Sequence, residues 1–237
     1  MQIDFDEEKH EYSVNGEKIP SVSEILFPLS AERYAELNPY MLKSAAARGT
    51  AIHEACEAID YGLDPDIDPS ISGYIKAYYE FLRDYNPKWE MVEKIIGYIR
   101  YADDKPLYCG TIDRYGEIDG YKAVVDIKTY ATLTQEGFLS GSCQTALYRD
   151  AIESTFQADG TPEMVKGIDA FDEGGKPIRR FILHLRSDGS YRLANLDKWD
   201  IEKQVGSDSL AWQLYNIYCE KQNALRKGKK NGKERTD

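Results

Sequence analysis

The chain has 237 residues, 42% of them hydrophobic, which is enough for one sizeable domain with its own core. No apolar run approaches the ~20 residues that span a bilayer, and the N-terminus is acidic where a signal peptide is basic, so we expect a cytoplasmic protein with no membrane partner. The net charge of −11 counts against extensive phosphate contacts, although an enzyme needs only a local positive groove.

The first 85 residues predict a small hairpin followed by helices. Alternating residues around an Asn-Gly turn signal predict an N-terminal hairpin over residues 1–19. Either Ser21 or Ser23 can cap a short helix that follows. Apolar residues then recur at helical spacing from about Pro39 to Tyr61 and again from Ser70 to Tyr85. The aromatic stripe of the second of these helices is more typical of a core than of base stacking.

The middle of the chain predicts a strand and then a tight hairpin. β-Branched and aromatic residues predict a strand from Met91 to Tyr101, with a turn at 102–106. The hairpin runs from Gly110 to Thr129, and Asp119-Gly120 is a strong two-residue turn signal within it. Because the turn length sets the register, this turn pairs Ile118 with Tyr121 and places Asp113 opposite Asp126.

Two facing aspartates call for a neighbouring positive charge, because like charges in opposed positions repel. A divalent, oxygen-preferring cation would resolve the repulsion between Asp113 and Asp126, with Lys128 one pleat further along as a third polar group. Two alternatives remain open at this point. One is an edge hairpin whose polar face lies in water, and the other is a bulge at Gly116, which would put the two acids on opposite faces.

The last third of the chain predicts a helix, a hairpin and a closing helix. A helix from Gly137 to Glu153 would place Gln144 and Tyr148 four residues apart on one face. Two short strands, 181–185 and 191–196, form a second predicted hairpin. A helix is predicted for 199–225, followed by a basic, disordered tail at 226–237.

Several of these segments together resemble a known family. Gly110-Thr111-Ile112-Asp113 followed by Asp126-Ile127-Lys128-Thr129 is similar to the split signature of the PD-(D/E)XK nuclease superfamily, in its RecB-like exonuclease branch. Upstream, Arg48-Gly49-Thr50 and His53-Glu54 match this branch in order, and downstream the Gln144-x-x-x-Tyr148 spacing matches its last motif. The PSVSEIL segment at 20–26 resembles the opening of phage-type members. The resemblance covers about residues 20 to 200.

The resemblance implies a particular fold. We expect an α/β (α+β) protein with a restriction-endonuclease-like core, in which a mixed central sheet is flanked by helices in the order αβββαβ. Residues 1–225 would form one nuclease domain, made of the N-terminal hairpin at 1–19, the nuclease core at 20–200 and the C-terminal helix at 199–225.

The resemblance also implies a metal site. His53, Asp113, Asp126 and the main-chain carbonyl of Ile127 would hold one or two Mg²⁺ or Mn²⁺ ions, and Glu93 is a candidate accessory ligand. The ions would polarise a DNA phosphate and lower the pKa of a water molecule. The late cysteine cluster that holds an iron–sulfur cluster in some RecB-like nucleases is missing, so we expect no such cluster. The chain has four widely spaced cysteines, Cys56, Cys109, Cys143 and Cys219.

The remaining motif residues would act on the substrate. Lys128 would orient water and stabilise the transition state, because a lysine is a poor base unless desolvation lowers its pKa. Gln144 and Tyr148 would position DNA and water and so belong to the catalytic set with Asp113, Asp126 and Lys128. Arg48 and Thr129 would contact DNA.

The expected function is metal-dependent hydrolysis of linear DNA, single- or double-stranded, by an exonuclease of recombination, repair or phage DNA processing. Its setting would be the cytoplasm of a bacterium or phage-infected host. A recombination annealing protein is a candidate partner, and the sequence leaves a ring-forming oligomer open. The alternatives are an inactive nuclease fold that binds DNA or protein, and a metal enzyme acting on a small phosphoester.

Overall fold

The computed structural model describes residues 3–6, 9, 11–31, 38–100, 105–153, 172 and 174–233. They form a single-domain α+β fold with two sheets and flanking helices, as the sequence predicts. The strands are β1 (Ile3–Asp6), β2 (Glu11–Val14), β3 (Glu17–Ile19), β4 (Lys88–Arg100), β5 (Lys105–Ile118), β6 (Tyr121–Lys128), β7 (Arg179–Leu185) and β8 (Tyr191–Asn195). The helices are α1 (Val22–Leu26), α2 (Pro39–Asp60), α3 (Ser72–Tyr85), α4 (Gln135–Glu153), α5 (Leu196–Lys203) and α6 (Ser207–Lys233).

The N-terminal hairpin is confirmed and gains a strand. Strands β1, β2 and β3 form an antiparallel sheet, and the β2–β3 turn uses Asn15 and Gly16 at φ of 52° and 78°. Ser21, rather than Ser23, caps α1. Its side chain accepts a hydrogen bond from the Glu24 amide while the Glu24 carboxylate accepts one from the Ser21 amide, which is a capping box.

The central sheet has the order β4-β5-β6-β7-β8 and is mixed, because β6 and β7 run parallel and the other neighbours are antiparallel. The order helix, three strands, helix, strand from α3 to β7 agrees with the predicted order. Ile118 pairs with Tyr121 as predicted, and the β5–β6 ladder continues in regular register to Arg114 opposite Val125. Strand β6 is therefore central in its sheet.

Both faces of β6 are buried. Ala123, Val125 and Ile127 belong to a cluster with residues of α2 and α3, whereas Val124 belongs to a second cluster with residues of α4 and α6. The interpretation of an edge hairpin with a polar face in water is therefore wrong. Helices cover both faces of the strand, and its two edges pair with β5 and β7.

Gly116 does not carry a bulge toward β6, where it pairs in register with Ala123. The register shift lies on the other side, in β4 between Trp89 and Met91. A Cβ atom at residue 116 would overlap the carbonyl oxygen of Lys88, so glycine is required there for the close approach of β4.

The predicted closing helix at 199–225 is wrong as a single element, because the structure has two helices there. Helix α5 ends where Gln204 adopts a left-handed conformation with φ of 55°, and Gly206 precedes α6. Helix α6 continues through Lys233, into the segment that the sequence predicts to be a disordered tail. Residues 234–237 and part of the predicted turn at 102–106 lie outside the described residues. Among the helices that the structure describes, none has an apolar stretch long enough to cross a membrane.

The crossing of β4 over Gly116 gives a stability prediction. We expect Gly116→Ala to lower the free energy of unfolding by about 1–3 kcal/mol, because the new methyl group displaces backbone rather than a flexible side chain. Gly206→Ala is the control, since its methyl group would meet only Ser209 Cβ at 3.7 Å. Urea unfolding monitored by circular dichroism measures both, and equal midpoints for the two variants would contradict the assignment.

Candidate metal centre and adjoining cleft

The site forms where β5 and β6 separate. The ladder between them is regular up to Arg114 and Val125, so Asp113 and Asp126 occupy the next position. There a side chain takes the place of a main-chain acceptor. Asp113 Oδ2 accepts a hydrogen bond of 2.6 Å from the amide of Ile127. The β5–β6 pairing therefore ends one position before the two aspartates, so the structure does not pair Asp113 with Asp126 as predicted, and the Asp113 side chain contacts the β6 backbone.

A group of three side chains on three elements converges at this position. His53 Nδ1 of α2 lies 3.1 Å from Glu93 Oε1 of β4 and 3.9 Å from Asp113 Oδ2 of β5. The ligand atoms of His53, Glu93 and Asp113 all lie within 4.8 Å of one another. One imidazole nitrogen and two carboxylates at this spacing can hold a metal ion.

Glu93 reaches this group through an unusual backbone conformation. Its φ of 47° lies in the left-handed region, within a strand whose neighbouring residues pair regularly as Val92 with Arg114 and Lys94 with Ile112. Such a conformation costs on the order of 1–3 kcal/mol for a non-glycine residue and clusters at functional sites. Glu93, an accessory ligand by sequence, is a full member of the group.

The sequence interpretation missed Arg114, whose side chain holds Glu93 of this group by a hydrogen bond. The Arg114 side chain is 0% exposed. Nη1 donates to Glu93 Oε1 at 2.8 Å and to the Asp113 carbonyl at 2.6 Å, while Nε donates to Asp60 Oδ2 at 2.6 Å. Asp60 also accepts hydrogen bonds from Tyr78 and Trp89. A buried ion-pair network therefore fixes the carboxylate that contacts His53.

A sequence signal for Arg114 was present. The Asp119-Gly120 turn fixes Arg114 opposite Val125, and Val125 alternates with Ala123 and Ile127, whose apolar side chains are typical of a core face. An arginine on that face must be paired when it is buried. The signal would have indicated a buried cation, but not that its partners are Asp60 and Glu93.

A second set of polar residues lies on the α4 side. Lys128 Nζ lies 2.8 Å from both carboxylate oxygens of Asp126 and donates a hydrogen bond to Oδ1. Lys128 also donates to Gln144 Oε1 at 3.2 Å, and Gln144 Nε2 lies 3.4 Å from the Tyr148 hydroxyl. The four predicted residues thus form one connected chain.

Burial and neighbouring charge shift the pKa values in the site. Burial disfavours the imidazolium form of His53, but Asp113 and Glu93 outweigh that effect and raise its pKa above the ordinary 6.5. Burial raises the pKa of Asp126 to about 6, although Lys128 opposes the shift. Burial likewise disfavours the charged form of Lys128, but Asp126 outweighs burial and raises the lysine pKa. Lys128 is therefore a cation at neutral pH.

The net charge of these groups favours a cation. When ionised, the four carboxylates of Asp60, Glu93, Asp113 and Asp126 face two cationic side chains, Arg114 and Lys128, which leaves an excess of two negative charges. The excess negative charge lies on the His53 side. There Arg114 faces the carboxylates of Asp60 and Glu93, with that of Asp113 nearby, whereas Lys128 balances Asp126. A divalent cation would compensate this excess.

Tyr148 is placed by a glycine of the predicted signature. A Cβ atom at Gly110 would lie 2.7 Å from Tyr148 Cε1 and 3.1 Å from its hydroxyl oxygen. The absence of a side chain at Gly110 therefore lets the ring of Tyr148 approach β5 next to the site.

A cleft of about 660 Å³ opens beside the metal group, between one face of α2 and the residues that end and follow β6. Arg48, His53, Lys128 and Thr129 all line it, so the predicted DNA-contacting residues lie next to the predicted ligands. The Nε atom of Arg48 is buried and has no hydrogen-bond partner among the residues that the structure describes. An anion in the cleft would supply an acceptor for this guanidinium.

Most of the predicted site residues therefore lie close together, but Asp126 is not in the group of metal ligands that the structure forms. Among the described residues, the metal-ligand group comprises His53, Glu93 and Asp113, whereas Asp126 lies in the ion pair with Lys128. Asp126 is buried on β6, where an unpaired carboxylate would be costly. The ion pair with Lys128 compensates its charge. The role of the Ile127 carbonyl as a ligand stays a prediction.

Comparisons with known proteins do not assign a function to the chain, so a functional assignment depends on the geometry of the site. No protein-family model matches the chain, and no curated protein matches it. Among solved structures, that of SSO0001 is similar with a TM-score of 0.38 and 13% sequence identity, over 82% of this chain and 80% of that chain. A similarity of this size carries no argument about function.

The metal group predicts the effect of three substitutions. His53→Ala, Glu93→Gln and Asp113→Asn should each weaken Mn²⁺ binding by at least about 10–100-fold, the loss typical of a residue that only supports a ligand, because each removes a ligand or its charge. Glu54→Gln is the matched control, since Glu54 adjoins His53 but is exposed and outside the group. Isothermal titration calorimetry measures the affinity. An equal loss in the control, or no loss in the three variants, would contradict the assignment.

The same titration should depend on pH. Because the folded-state pKa of His53 lies above 6.5, metal must displace a proton from it at lower pH. As the pH is lowered, the Mn²⁺ affinity should therefore start to decrease before pH 6.5 is reached. Below the pKa of His53 the affinity should decrease roughly tenfold per pH unit for each displaced proton. A pH-independent affinity between pH 8 and 5.5 would exclude His53 as a ligand.

Proposed function

We propose that the protein is a metal-dependent DNA nuclease, most simply an exonuclease acting on linear DNA. One observation carries the proposal: a His53–Glu93–Asp113 group lies beside the buried Asp126–Lys128 pair and opens into a cleft lined by Arg48. Hydrolysis of a phosphodiester needs a cation near the phosphate, a charge-stabilising group and a place for the strand. The order of these residues in the chain, and their resemblance to the RecB-like branch of PD-(D/E)XK nucleases, supports a DNA substrate.

The residues present fit a hard divalent cation. The donor set is oxygen-rich with one imidazole, and the ionised site carries excess negative charge. His53, Glu93 and Asp113 would hold the ion, with Asp126 adjacent. The single imidazole suits Mn²⁺ and the carboxylates suit both Mg²⁺ and Mn²⁺. When bound, such an ion would polarise the scissile phosphate and lower the pKa of water.

Lys128 would stabilise the developing charge of the transition state. Its pKa is raised rather than lowered, so it remains an ammonium and is unsuited to act as a general base. Its two hydrogen bonds, to Asp126 and Gln144, hold the ammonium at the edge of the cleft. A fixed positive charge of this kind lowers the barrier when negative charge grows on the phosphate oxygens.

Gln144, Tyr148 and Arg48 would position the strand. Gln144 is held between Lys128 and the Tyr148 hydroxyl, so its amide has a fixed orientation beside the charge-stabilising group. Arg48 would contact a flanking phosphate through the guanidinium that has an unpartnered Nε atom. A role in recombination, repair or phage DNA processing, an annealing-protein partner and a cytoplasmic setting belong to the same proposal.

The experiment is degradation of end-labelled linear DNA beside a closed circle, with Mg²⁺, Mn²⁺ or EDTA. We expect metal-dependent loss of linear DNA and survival of the circle. Asp126→Asn should reduce the rate by at least about 100-fold, because the amide no longer anchors Lys128 as an ion pair. Asp66→Asn, at an exposed aspartate outside the site, should cleave normally.

Three results separate the outcomes of that experiment. Cleavage of the circle would make the enzyme an endonuclease and overturn the exonuclease assignment. Cleavage that persists in Asp126→Asn would assign the activity to a contaminant or another site. Absence of cleavage with every metal would leave a nuclease-like fold that binds DNA or protein without cutting it.

A further inference from the structure

We infer that the cleft beside the metal centre takes an unpaired DNA strand, with a base packed against the N-terminal half of α2. The inference rests on the proposed function and names the form of substrate that the site accepts. It follows from the shape and chemistry of the cleft walls rather than from the metal ligands.

One wall is a single face of α2. Leu42, Ala45, Ala46 and Gly49 line the cleft, and His53 follows on the same face. These positions are spaced i, i+3, i+4, i+7 and i+11, which brings them into one row along a helix. The aliphatic part of this row, from Leu42 to Gly49, is roughly 10 Å long at 1.5 Å per residue. The wall therefore leads directly to a metal ligand.

The opposite wall comes from the end of β6 and the residues after it. Ile127 and Ala131 add aliphatic surface, while Lys128 and Thr129 add polar groups. The cations of the cleft, Arg48, Lys43 and Lys128, lie at positions beside this apolar surface. A flat apolar body with an anionic attachment would match both features, and a nucleotide of an unpaired strand has this combination.

A duplex matches these walls poorly. The outer surface of a duplex is its phosphate backbone, which is bound by arrays of cations, and a net charge of −11 opposes binding of that kind. Bases of a duplex are stacked and paired, so their faces cannot contact an aliphatic wall. The cleft volume of about 660 Å³ lies within the range of sites for small ligands and is suited to a nucleotide or two.

The small side chains of the wall have a role in this arrangement. Because Ala45, Ala46 and Gly49 have small side chains or none, this face of the helix leaves the cleft open. The larger exposed residues Tyr40 and Met41 precede the wall and are outside the cleft lining. A larger side chain at residue 46 would occupy the space assigned to the base. It would not touch the metal group, because Ala46 is seven residues, about two helical turns, before His53.

The test compares Ala46→Trp with Ala47→Trp in the full-length chain. Ala47 is exposed and is not part of the cleft lining, so it is a matched control on the neighbouring residue. Fluorescence anisotropy with Ca²⁺ measures binding of a labelled single-stranded thymidine oligomer, the same backbone carrying abasic units, and a blunt duplex. Calorimetry with Mn²⁺ checks that the metal centre is intact in each variant.

The inference predicts a specific pattern. The natural protein should bind the thymidine oligomer at least about fivefold more tightly than the abasic strand, because a base packed on the aliphatic wall buries apolar surface. Ala46→Trp should lose at least about tenfold of that affinity, and Ala47→Trp should stay within about twofold of the natural protein. Mn²⁺ affinity should be unchanged in both variants.

Equal binding of the abasic strand, equal binding of the blunt duplex, or equal effects of the two tryptophan variants would each overturn the inference. The comparison of strands uses the natural protein alone, so it remains decisive if Ala46→Trp fails to fold. The base-dependent pattern without cleavage under any metal would support the cleft assignment while overturning the proposed nuclease activity. Cleavage of DNA without the pattern would leave the nuclease and overturn the cleft assignment.

Discussion

The fully buried guanidinium of Arg114 is the constraint on which the site depends. A buried charge is expensive unless it is paired and hydrogen-bonded, and Arg114 is paired with Asp60 on α2 and Glu93 on β4. Burial disfavours its charged form, but Tyr78, Asp60 and Glu93 outweigh that effect and raise its pKa. Within the described part of the chain its Nη2 atom has no hydrogen-bond partner, so the pairing of the guanidinium depends on the bonds from Nε to Asp60 and from Nη1 to Glu93. The helix that carries His53 and the strand that carries Glu93 are thereby joined through one side chain.

This network explains why the two halves of the site differ. On the α2 side, Arg114 occupies one carboxylate oxygen of Glu93 and leaves His53, Glu93 and Asp113 close enough to share a cation. On the α4 side, Lys128 neutralises Asp126, whose burial is almost complete at 1% exposure. The first half suits an exchangeable metal ion and the second suits a permanent internal cation. A phosphate in the cleft would contact both, which is the arrangement that phosphodiester hydrolysis requires.

Local signals in the sequence were sufficient for much of this architecture. The Asp119-Gly120 turn determined the register of β5 and β6, and helical spacing placed His53 on α2, because both signals depend on neighbouring residues. The partners of Arg114 were not predictable in this way, since Asp60 is 54 residues away and Glu93 has a backbone conformation that no local pattern indicates. The break at Gln204 was missed because a left-handed residue other than glycine ended α5. The assignment of Asp126 to an ion pair rather than to the ligand group depends on burial by α4, which is a property of the tertiary fold.

The proposed function requires that His53, Glu93 and Asp113 hold a divalent cation. Anomalous diffraction from crystals soaked with Mn²⁺ would locate the ion independently of any activity. We expect one strong peak bonded to a nitrogen of His53 and to carboxylate oxygens of Glu93 and Asp113, next to Asp126. A structure with no peak at this position, or with Mn²⁺ bound only by exposed carboxylates elsewhere, would contradict the proposed function.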